Sequence, residues 1–367
     1  MIRVSVVGFG YWGPNLVRNI SKCSGCQLVA VADLDASRRE KVQRLYPAID
    51  VLETADELLE RDDIDAVAIA TPISTHYRLA WQALASGKHV LVEKPMTASS
   101  QEARQLIRLA EEKKRVLMVD HTFIYTGAVR KLRQIIQSNE LGEIYYYDSV
   151  RINLGLFQQD LNVLWDLAPH DFSIMDYLID KEPVRVSAVG AAPLHKDGYS
   201  LHSIAYVTVE FKDETLAHFH VNWMSPVKLR RTLIGGSRKM AIYDPLEPDQ
   251  QLKIVDKGVE VIEDEARYRT LIQYRTGDLL APKIDQTEAL QNVCCHFLHC
   301  IEKGETPLTD GYSGLRVVQL LEAAQKSIEN RQDRLPVEVG LPSGIPSRPS
   351  GSTSLGRSER MVAGIAP

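Results

Sequence analysis

A glycine-rich turn near the start of the chain constrains the fold more than any other feature. Gly8, Gly10 and Gly13 follow the apolar, β-branched run "RVSVVG" and open a segment with helical periodicity. Asp33 ends the next apolar run, 20 residues after Gly13. A strand, a glycine turn, a helix and an acid at this distance form the dinucleotide-binding fingerprint, whose glycines let the backbone approach a pyrophosphate. Asp33 would accept hydrogen bonds from the adenosine ribose and repel a 2′-phosphate, which favours NAD over NADP.

Apolar strands and helices then alternate up to about residue 120. The predicted strands are 3–8, 28–33, 64–71, 89–95 and 115–120, with helices at 13–21, 36–45, 74–85 and 99–113 between them. Such alternation implies a parallel sheet with right-handed crossover connections. We therefore predict an α/β fold in which residues 1–120 form a doubly wound, dinucleotide-binding domain.

The pattern changes after that point. A helix at 128–138 is followed by strands at 144–152, 184–191, 201–211, 215–224, 227–235 and 238–243, and two helices near 286–303 and 311–329 come last. In "TLAHFHVNW", Phe219, Val221 and Trp223 share one face of a strand, as in a half-buried antiparallel sheet. We predict an α+β domain over residues 121–340. The Ser-, Gly- and Pro-rich tail at 341–367 is expected to be disordered.

Composition excludes several classes of function. The chain is 44% hydrophobic and 25% charged, as globular proteins are. Its net charge of -5 provides no basic surface for nucleic acid or an anionic membrane. No apolar run is long enough to span a membrane, and the N-terminus lacks the pattern of a signal peptide. We expect a cytoplasmic protein whose partner is a small molecule.

Five cysteines include two groups that resemble metal sites. "CSGC" at 23–26 is a lone pair without a second pair of matching spacing, and "CCHFLHC" at 294–300 lies on an apolar helical stripe. Tetrahedral zinc sites usually draw on separated ligand pairs, whereas buried cysteines on packed helices are common. We predict no metal site.

Two further motifs carry candidate chemistry. "VEKP" places Glu93 and Lys94 at the carboxyl end of a sheet strand, where ligands of open α/β sheets bind. "WDLAPHD" places His170 between two acids, directly after Pro169. Proline suits the first turn of a helix, so we predict that a helix starts here and that its positive end keeps His170 neutral.

Taken together, the fingerprint, "ATPISTHYRLAWQALASGKHVLVEKP" and "WDLAPHD" resemble the Gfo/Idh/MocA oxidoreductase family over residues 1–338. The resemblance implies an N-terminal Rossmann domain and a C-terminal α+β domain. The resemblance further implies that the second domain binds substrate and that its open, largely antiparallel sheet packs subunits into dimers or tetramers. It also implies that Lys94 is the active-site lysine, and that Thr71, Pro72, His76 and Glu93 line the NAD site. We add Tyr11, Trp12 and Trp165, from the same motifs, to the cofactor-binding residues.

Within the family, "HTFIYTGAVRKLRQIIQSNELGEIYYYDSVRINLG" and "TPLTDGYSGLRVVQLLEAAQKSI" are similar to bacterial sugar-nucleotide oxidoreductases. These include UDP-N-acetylglucosaminuronate 3-dehydrogenases and 3-ketoreductases. The resemblance implies a catalytic set of Lys94, Asp166 and His170. His170 would be the general base and Lys94 would stabilise alkoxide charge, although either could accept the proton. Asp166 would orient His170 or hold a neighbouring hydroxyl of the sugar. Arg151, Asn153 and Asn162 are assigned to substrate.

Three other functions fit the same motifs. The chain could be a dehydrogenase of inositol or free sugars, or an NAD-dependent glycosidase in which transient oxidation enables hydrolysis. It could also be a non-catalytic NAD-binding regulator, a possibility that Lys94, Asp166 and His170 argue against.

Overall fold

A computed structural model describes residues 1–155, 157, 160–194, 201–264 and 269–330. The tail at 341–367, predicted to be disordered, lies outside the described residues. No helix within the described part of the chain is both long and apolar enough to cross a membrane.

Parallel strands and helices alternate in the N-terminal half. The strands are β1 (Ile2–Val7), β2 (Cys26–Ala32), β3 (Asp50–Leu52), β4 (Ala66–Ile69), β5 (His89–Glu93) and β6 (Leu117–Asp120). The helices are α1 (Gly13–Ile20), α2 (Ala36–Leu45), α3 (Ala55–Leu59), α4 (Ile73–Ala85) and α5 (Ser100–Lys113). The sheet order is β3-β2-β1-β4-β5-β6, which confirms the doubly wound parallel sheet. Its strand order reverses between β1 and β4, where the crevice for a ligand opens.

Mixed strands dominate the second half. A 3-10 helix (Thr122–Tyr125) and α6 (Gly127–Gln137) precede β7 (Ile144–Leu154), α7 (Val163–Leu178), β8 (Pro183–Ala191), β9 (Ile204–Phe211), β10 (Leu216–Asn222), β11 (Met224–Gly236) and β12 (Met240–Tyr243). Then follow β13 (Leu252–Val255), β14 (Gly258–Asp264), β15 (Arg269–Arg275), β16 (Leu279–Leu280), α8 (Ala289–Lys303) and α9 (Gly311–Glu329).

Eight of these strands form one sheet in the order β16-β13-β12-β11-β7-β10-β9-β8, and β14 and β15 form a separate two-stranded sheet. β7 and β10 run parallel, and the other pairs in this sheet are antiparallel, which confirms a largely antiparallel sheet. Phe219, Val221 and Trp223 are buried on the face that α7 covers, as their alternation predicts. His218 and His220 lie on the opposite face.

The last two helices return to the N-terminal half. α8 packs on α1 and on the 3-10 helix, and α9 packs on α5, α7 and β8. Leu290, Val293 and Phe297 of α8 share a buried cluster with Val4 and Val6 of β1. The apolar stripe on α8 is therefore a packing surface of the nucleotide half.

Helix α7 starts earlier than the sequence pattern suggests. Its N-cap is Asn162, whose side chain accepts a hydrogen bond from the Trp165 backbone N–H at 3.2 Å. Pro169 lies inside the helix, so the predicted first-turn positions of Pro169 and His170 were wrong. Asn162 satisfies a free donor of the first turn, and this fixes the helix start at Val163, six residues before the proline.

The cysteines of the two candidate metal motifs lie partly together. The Sγ atoms of Cys23 and Cys295 are 3.1 Å apart, although 272 positions separate them in sequence. Among the residues that the structure describes, no group of three or more His, Cys, Asp or Glu is arranged to hold a metal ion.

Candidate active site

The glycine turn after β1 has the shape of a phosphate cradle. Gly8 has a φ of +95°, and a Cβ there would lie 2.5 Å from the Ala70 carbonyl oxygen. A Cβ on Gly13 would collide with the Gly8 carbonyl oxygen, whereas one on Gly10 would meet only the Arg38 guanidinium, at 3.4 Å. Gly8 and Gly13 therefore close the turn against the sheet and helix, and Gly10 leaves its outer surface open.

Asp33 holds this turn in place. Its Oδ2 accepts a hydrogen bond from the Phe9 N–H at 2.6 Å, and its Oδ1 accepts one from the Asp35 N–H at 2.9 Å. Arg38 Nη1 lies 3.6 Å from Asp33 Oδ2. Each carboxylate oxygen retains a second acceptor position for a ribose hydroxyl. Arg39 instead donates to the backbone carbonyls of Asp33 and Leu34.

The first turn of α1 points its backbone donors at the same opening. It has no side-chain cap and no acidic residue, so its N–H groups and dipole are available to an anion. Tyr11 is 84% exposed beside it. Trp12 is turned inward, and its Nε1–H donates to Asp120 Oδ2 at 3.2 Å. Together with Gly10 and Asp33, these residues fit the pyrophosphate and ribose of a dinucleotide.

Thr71, Pro72 and His76 form the neighbouring wall, where β4 meets α4. Thr71 Oγ1 lies 2.6 Å from Thr75 Oγ1, and Pro72 is the N-cap of α4. His76 is buried, with its ring nitrogens 2.9 Å from the Pro95 carbonyl oxygen and 2.8 Å from that of Thr71. The structure thus places His76 behind the wall, where it links the turns that follow β4 and β5.

Two carboxyl groups meet at the ends of β5 and β6. Glu93 and Asp120 are register partners, and Asp120 accepts hydrogen bonds from Trp12 and from Thr122 Oγ1, the latter at 2.7 Å. Burial, together with the charge of Asp120, raises the pKa of Glu93 well above its ordinary value. Because two adjacent buried carboxylates repel, Glu93 is the member of the pair that retains its proton.

Lys94 and Asp166 are in direct contact. Lys94 precedes a cis peptide bond to Pro95, and its Nζ donates to Asp166 O at 2.7 Å and to Asp166 Oδ1 at 3.2 Å. Trp223 Nε1–H donates to Asp166 Oδ2 at 3.1 Å. Asp166 and His170 are one helical turn apart on α7. Asp166 thus fixes Lys94, and within the described residues it has no hydrogen bond to His170.

His170 borders the same part of the site as Lys94 and Asp166. Burial lowers the pKa of its imidazole well below the ordinary value, and the nearby cations Lys94, Arg151 and Arg230 lower it further. Its Nδ1 has no hydrogen-bond partner among the described residues. The Phe123 ring lies edge-on to it, with centroids 5.0 Å apart. Desolvation and charge, rather than the helix terminus, therefore keep His170 neutral.

The residues assigned to substrate divide into three cases. Arg151 is buried, and its Nε and Nη2 donate to Asp171 at 2.7 and 3.0 Å, which leaves only Nη1 without a partner in the described chain. Asn153 Oδ1 is also buried and has no partner there. Asn162 caps α7 and donates to Gln325, so it is committed to structure. Trp165, which was assigned to the cofactor and not to the substrate, is half-buried against the C-terminal core.

Several neighbours of the site did not emerge from the sequence. They are Asp120, His121, Phe123, Asp171, Trp223 and Arg230. Asp120 carried a usable signal, because it ends β6 as Glu93 ends β5, and such ends lie side by side in a parallel sheet. Phe123 and Arg230 come from a 3-10 helix and a distant strand, and no local pattern connects them.

Two family models match this chain. One, an oxidoreductase family model with an NAD-binding Rossmann fold, matches residues 2–121, and the GFO/IDH/MocA C-terminal domain matches residues 129–242. The chain belongs to the Gfo/Idh/MocA family. Its N-terminal half is therefore an NAD-binding Rossmann domain, and the protein is a nicotinamide-dependent oxidoreductase.

Two characterised relatives match this Gfo/Idh/MocA chain over nearly their whole length. The scyllo-inositol 2-dehydrogenase (NAD⁺) of Bacillus subtilis is 30% identical, over 93% of this chain and 97% of its own. The UDP-N-acetylglucosamine 3-dehydrogenase of Acidithiobacillus ferrooxidans is 28% identical, over 89% and 97%. A crystal structure of the latter superposes with a TM-score of 0.75 at 27% identity, covering 89% of this chain and 98% of that one.

Proposed function

We propose that this protein transfers a hydride between NAD and a ring CH–OH group, at C3, of a sugar or sugar nucleotide. The observation that carries the proposal is the meeting of Lys94, Asp166 and His170 beside the carboxyl ends of β4 and β5. The resemblance to a UDP-N-acetylglucosamine 3-dehydrogenase over most of both chains supports the position and the substrate class.

Bound NAD would supply the hydride acceptor, with its pyrophosphate at Gly10 and the first turn of α1 and its adenosine ribose at Asp33. The Asp33 carboxylate favours NAD over NADP, because a 2′-phosphate would be repelled there. The partly buried Lys94–Asp166 pair fixes the ammonium group on one side of the site. Lys94 would donate a hydrogen bond to the reacting oxygen and stabilise alkoxide charge.

We assign His170 as the group that takes the hydroxyl proton. Its lowered pKa keeps the ring neutral at neutral pH, so that its nitrogen lone pair is free when substrate binds. Nδ1 has no competing partner in the described residues, whereas the Lys94 ammonium already donates to two oxygens of Asp166. Asn153 Oδ1, buried and unpartnered in that same part of the chain, would accept from a second hydroxyl of the sugar.

A panel of sugar nucleotides, free sugars and inositols, each with NAD and NADP, tests the proposal through nicotinamide absorbance. We expect turnover with NAD and a sugar nucleotide. Turnover of inositols alone would favour the second candidate, an inositol dehydrogenase, which the 30% identity to the scyllo-inositol enzyme supports. Release of a free sugar from a glycoside would instead identify a glycosidase.

Variants of Lys94 and His170 test the catalytic roles proposed for these two residues. Lys94→Met and His170→Gln should each lower kcat by about 10²- to 10⁴-fold while NAD affinity stays unchanged. Lys113→Met and His299→Gln, at exposed helical positions, are the matched controls. Near-normal kcat in either site variant would contradict the role given to that residue.

We also propose that the open face of the eight-stranded sheet joins subunits into a dimer or tetramer. Tyr206 is 44% exposed on this face and stacks on His220, with ring centroids 4.3 Å apart. Light scattering coupled to size exclusion measures the mass, and Tyr206→Glu should shift it toward the monomer. A monomeric wild type would refute this assembly.

A further inference from the structure

One cation of the active site has no carboxylate of its own. Lys94 is paired with Asp166, and Arg151 is paired with Asp171. Within the described residues, Arg230 of β11 makes no ion pair, and its buried Nε has no hydrogen-bond partner. A guanidinium that is largely removed from water is costly unless something satisfies it.

The position of Arg230 increases the need of its guanidinium group for a compensating partner. Arg230 is the register partner of Arg151 across the β11–β7 pair, so the two cationic side chains share one face of the sheet. Both lie over the Phe123 ring, with Cζ atoms 5.9 Å and 4.6 Å from its centroid. Like charges directly opposite each other across a strand pair are destabilising, and cation–π contact with one ring offsets only part of that repulsion.

This pair of guanidinium groups borders the reaction centre. The edge of the same Phe123 ring contacts His170, the charge of Arg230 lowers the pKa of His170, and Tyr11 of the glycine turn is near enough to raise the pKa of Arg230. The free donors, Arg230 Nε and Arg151 Nη1, thus lie between the nucleotide half and the eight-stranded sheet. A ligand held there would adjoin the carbon that reacts at His170.

We propose that Arg230, with Arg151 Nη1, forms a subsite for an anionic oxygen group of the substrate, a carboxylate or a phosphate. This deepens the proposed function, on which it rests: the substrate is an acidic sugar or a sugar bearing phosphate, rather than a neutral cyclitol. The planar guanidinium donors match the geometry of either anion.

Calorimetric titration of the NAD-loaded protein tests the subsite independently of turnover. The ligands are glucose, glucuronate, glucose 6-phosphate, UDP-N-acetylglucosamine and its uronate. We expect each anion to bind more tightly than its less charged parent. Arg230→Met should weaken anion binding by about 10- to 100-fold and leave glucose unaffected, because a hydrogen bond to a charged group is lost. Arg231→Met is the matched control, since Arg231 is on the neighbouring position of β11 and pairs with Asp244.

The pattern of losses identifies the anion. Loss confined to glucuronate and the uronate assigns a carboxylate, and loss confined to the phosphorylated ligands assigns a phosphate. The subsite is refuted if Arg230→Met leaves every affinity ratio unchanged, if neutral and anionic ligands bind alike to the wild type, or if no ligand binds. Turnover of CH–OH groups without an anion preference would overturn only the subsite. An Arg230-dependent anion preference without any turnover would overturn the proposed function instead.

Discussion

The buried Arg151–Asp171 pair should be among the strongest single determinants of stability in the C-terminal half. Asp171→Asn removes the charge of one partner and keeps its shape. The pair is bidentate, at 2.7 and 3.0 Å, and its side chains are only 3% and 4% exposed, so water does not screen it. Removing one partner leaves Arg151 as an uncompensated cation beside Arg230.

Removal of one partner of a buried pair costs about 3–5 kcal/mol, and we expect a loss near the lower end for an isosteric change. Asp176→Asn is the control, because Asp176 lies on the same helix and pairs bidentately with Arg316, at 2.7 and 2.8 Å. Arg316 is 52% exposed, so that pair should contribute only about 0–1 kcal/mol. The two variants differ chiefly in burial.

Urea unfolding at neutral pH measures the free energy of unfolding, with tryptophan fluorescence from Trp165 and Trp223 reporting on this half. The double variant Arg151→Met/Asp171→Leu removes both charges and should be more stable than either single change, since no buried ion is left unpaired. The reasoning is refuted if Asp171→Asn costs no more than Asp176→Asn, or if the double variant is as unstable as the two single variants combined.

Three further outcomes are expected. Gly13→Ala should weaken NAD binding about 10- to 100-fold, measured by calorimetry, because the added carbon displaces the turn; Gly25→Ala, with no atom within 4 Å of its added carbon, should not. Burial lowers the pKa of His121 to about 3, so below its ordinary value of 6.5 the unfolded chain binds a proton that the folded chain refuses. Wild type should therefore lose about 2 kcal/mol more than His121→Leu between pH 7 and 5 in urea unfolding, and parallel curves would contradict this. Asn162→Ala should cost about 1 kcal/mol by loss of its cap without changing substrate KM, and a raised KM at unchanged stability would restore it as a substrate ligand.

Local signals predicted much of the fold. The limits of α2 and α9 follow from caps and periodicity, with Asp35 and Asp310 each accepting from the first turn. The glycine turn and Asp33 could be predicted equally well, because the role of each residue is set within one strand–helix–strand unit. β3 and α3 were missed since segments of 3 and 5 residues are too short to show a period.

The site was only partly predictable. "WDLAPHD" misled about the helix start because proline suits a first turn, yet the cap at Asn162 lies seven residues earlier. Arg151 could not be assigned from sequence, since its partner Asp171 is joined to it only by the packing of α7 on β7. Phe123 and Arg230 meet at the site through tertiary structure alone.

The return of α8 to β1 bears on how the chain matures during synthesis. Val4 and Val6 are made long before their packing partners Leu290, Val293 and Phe297, which emerge nearly three hundred residues later. A ribosome-bound chain ending near residue 121 therefore holds a complete nucleotide fingerprint on a sheet whose α1-covered side still lacks the packing of α8. Competence to bind NAD and protection from aggregation are thus acquired at different times, and the second waits until α8 has been made.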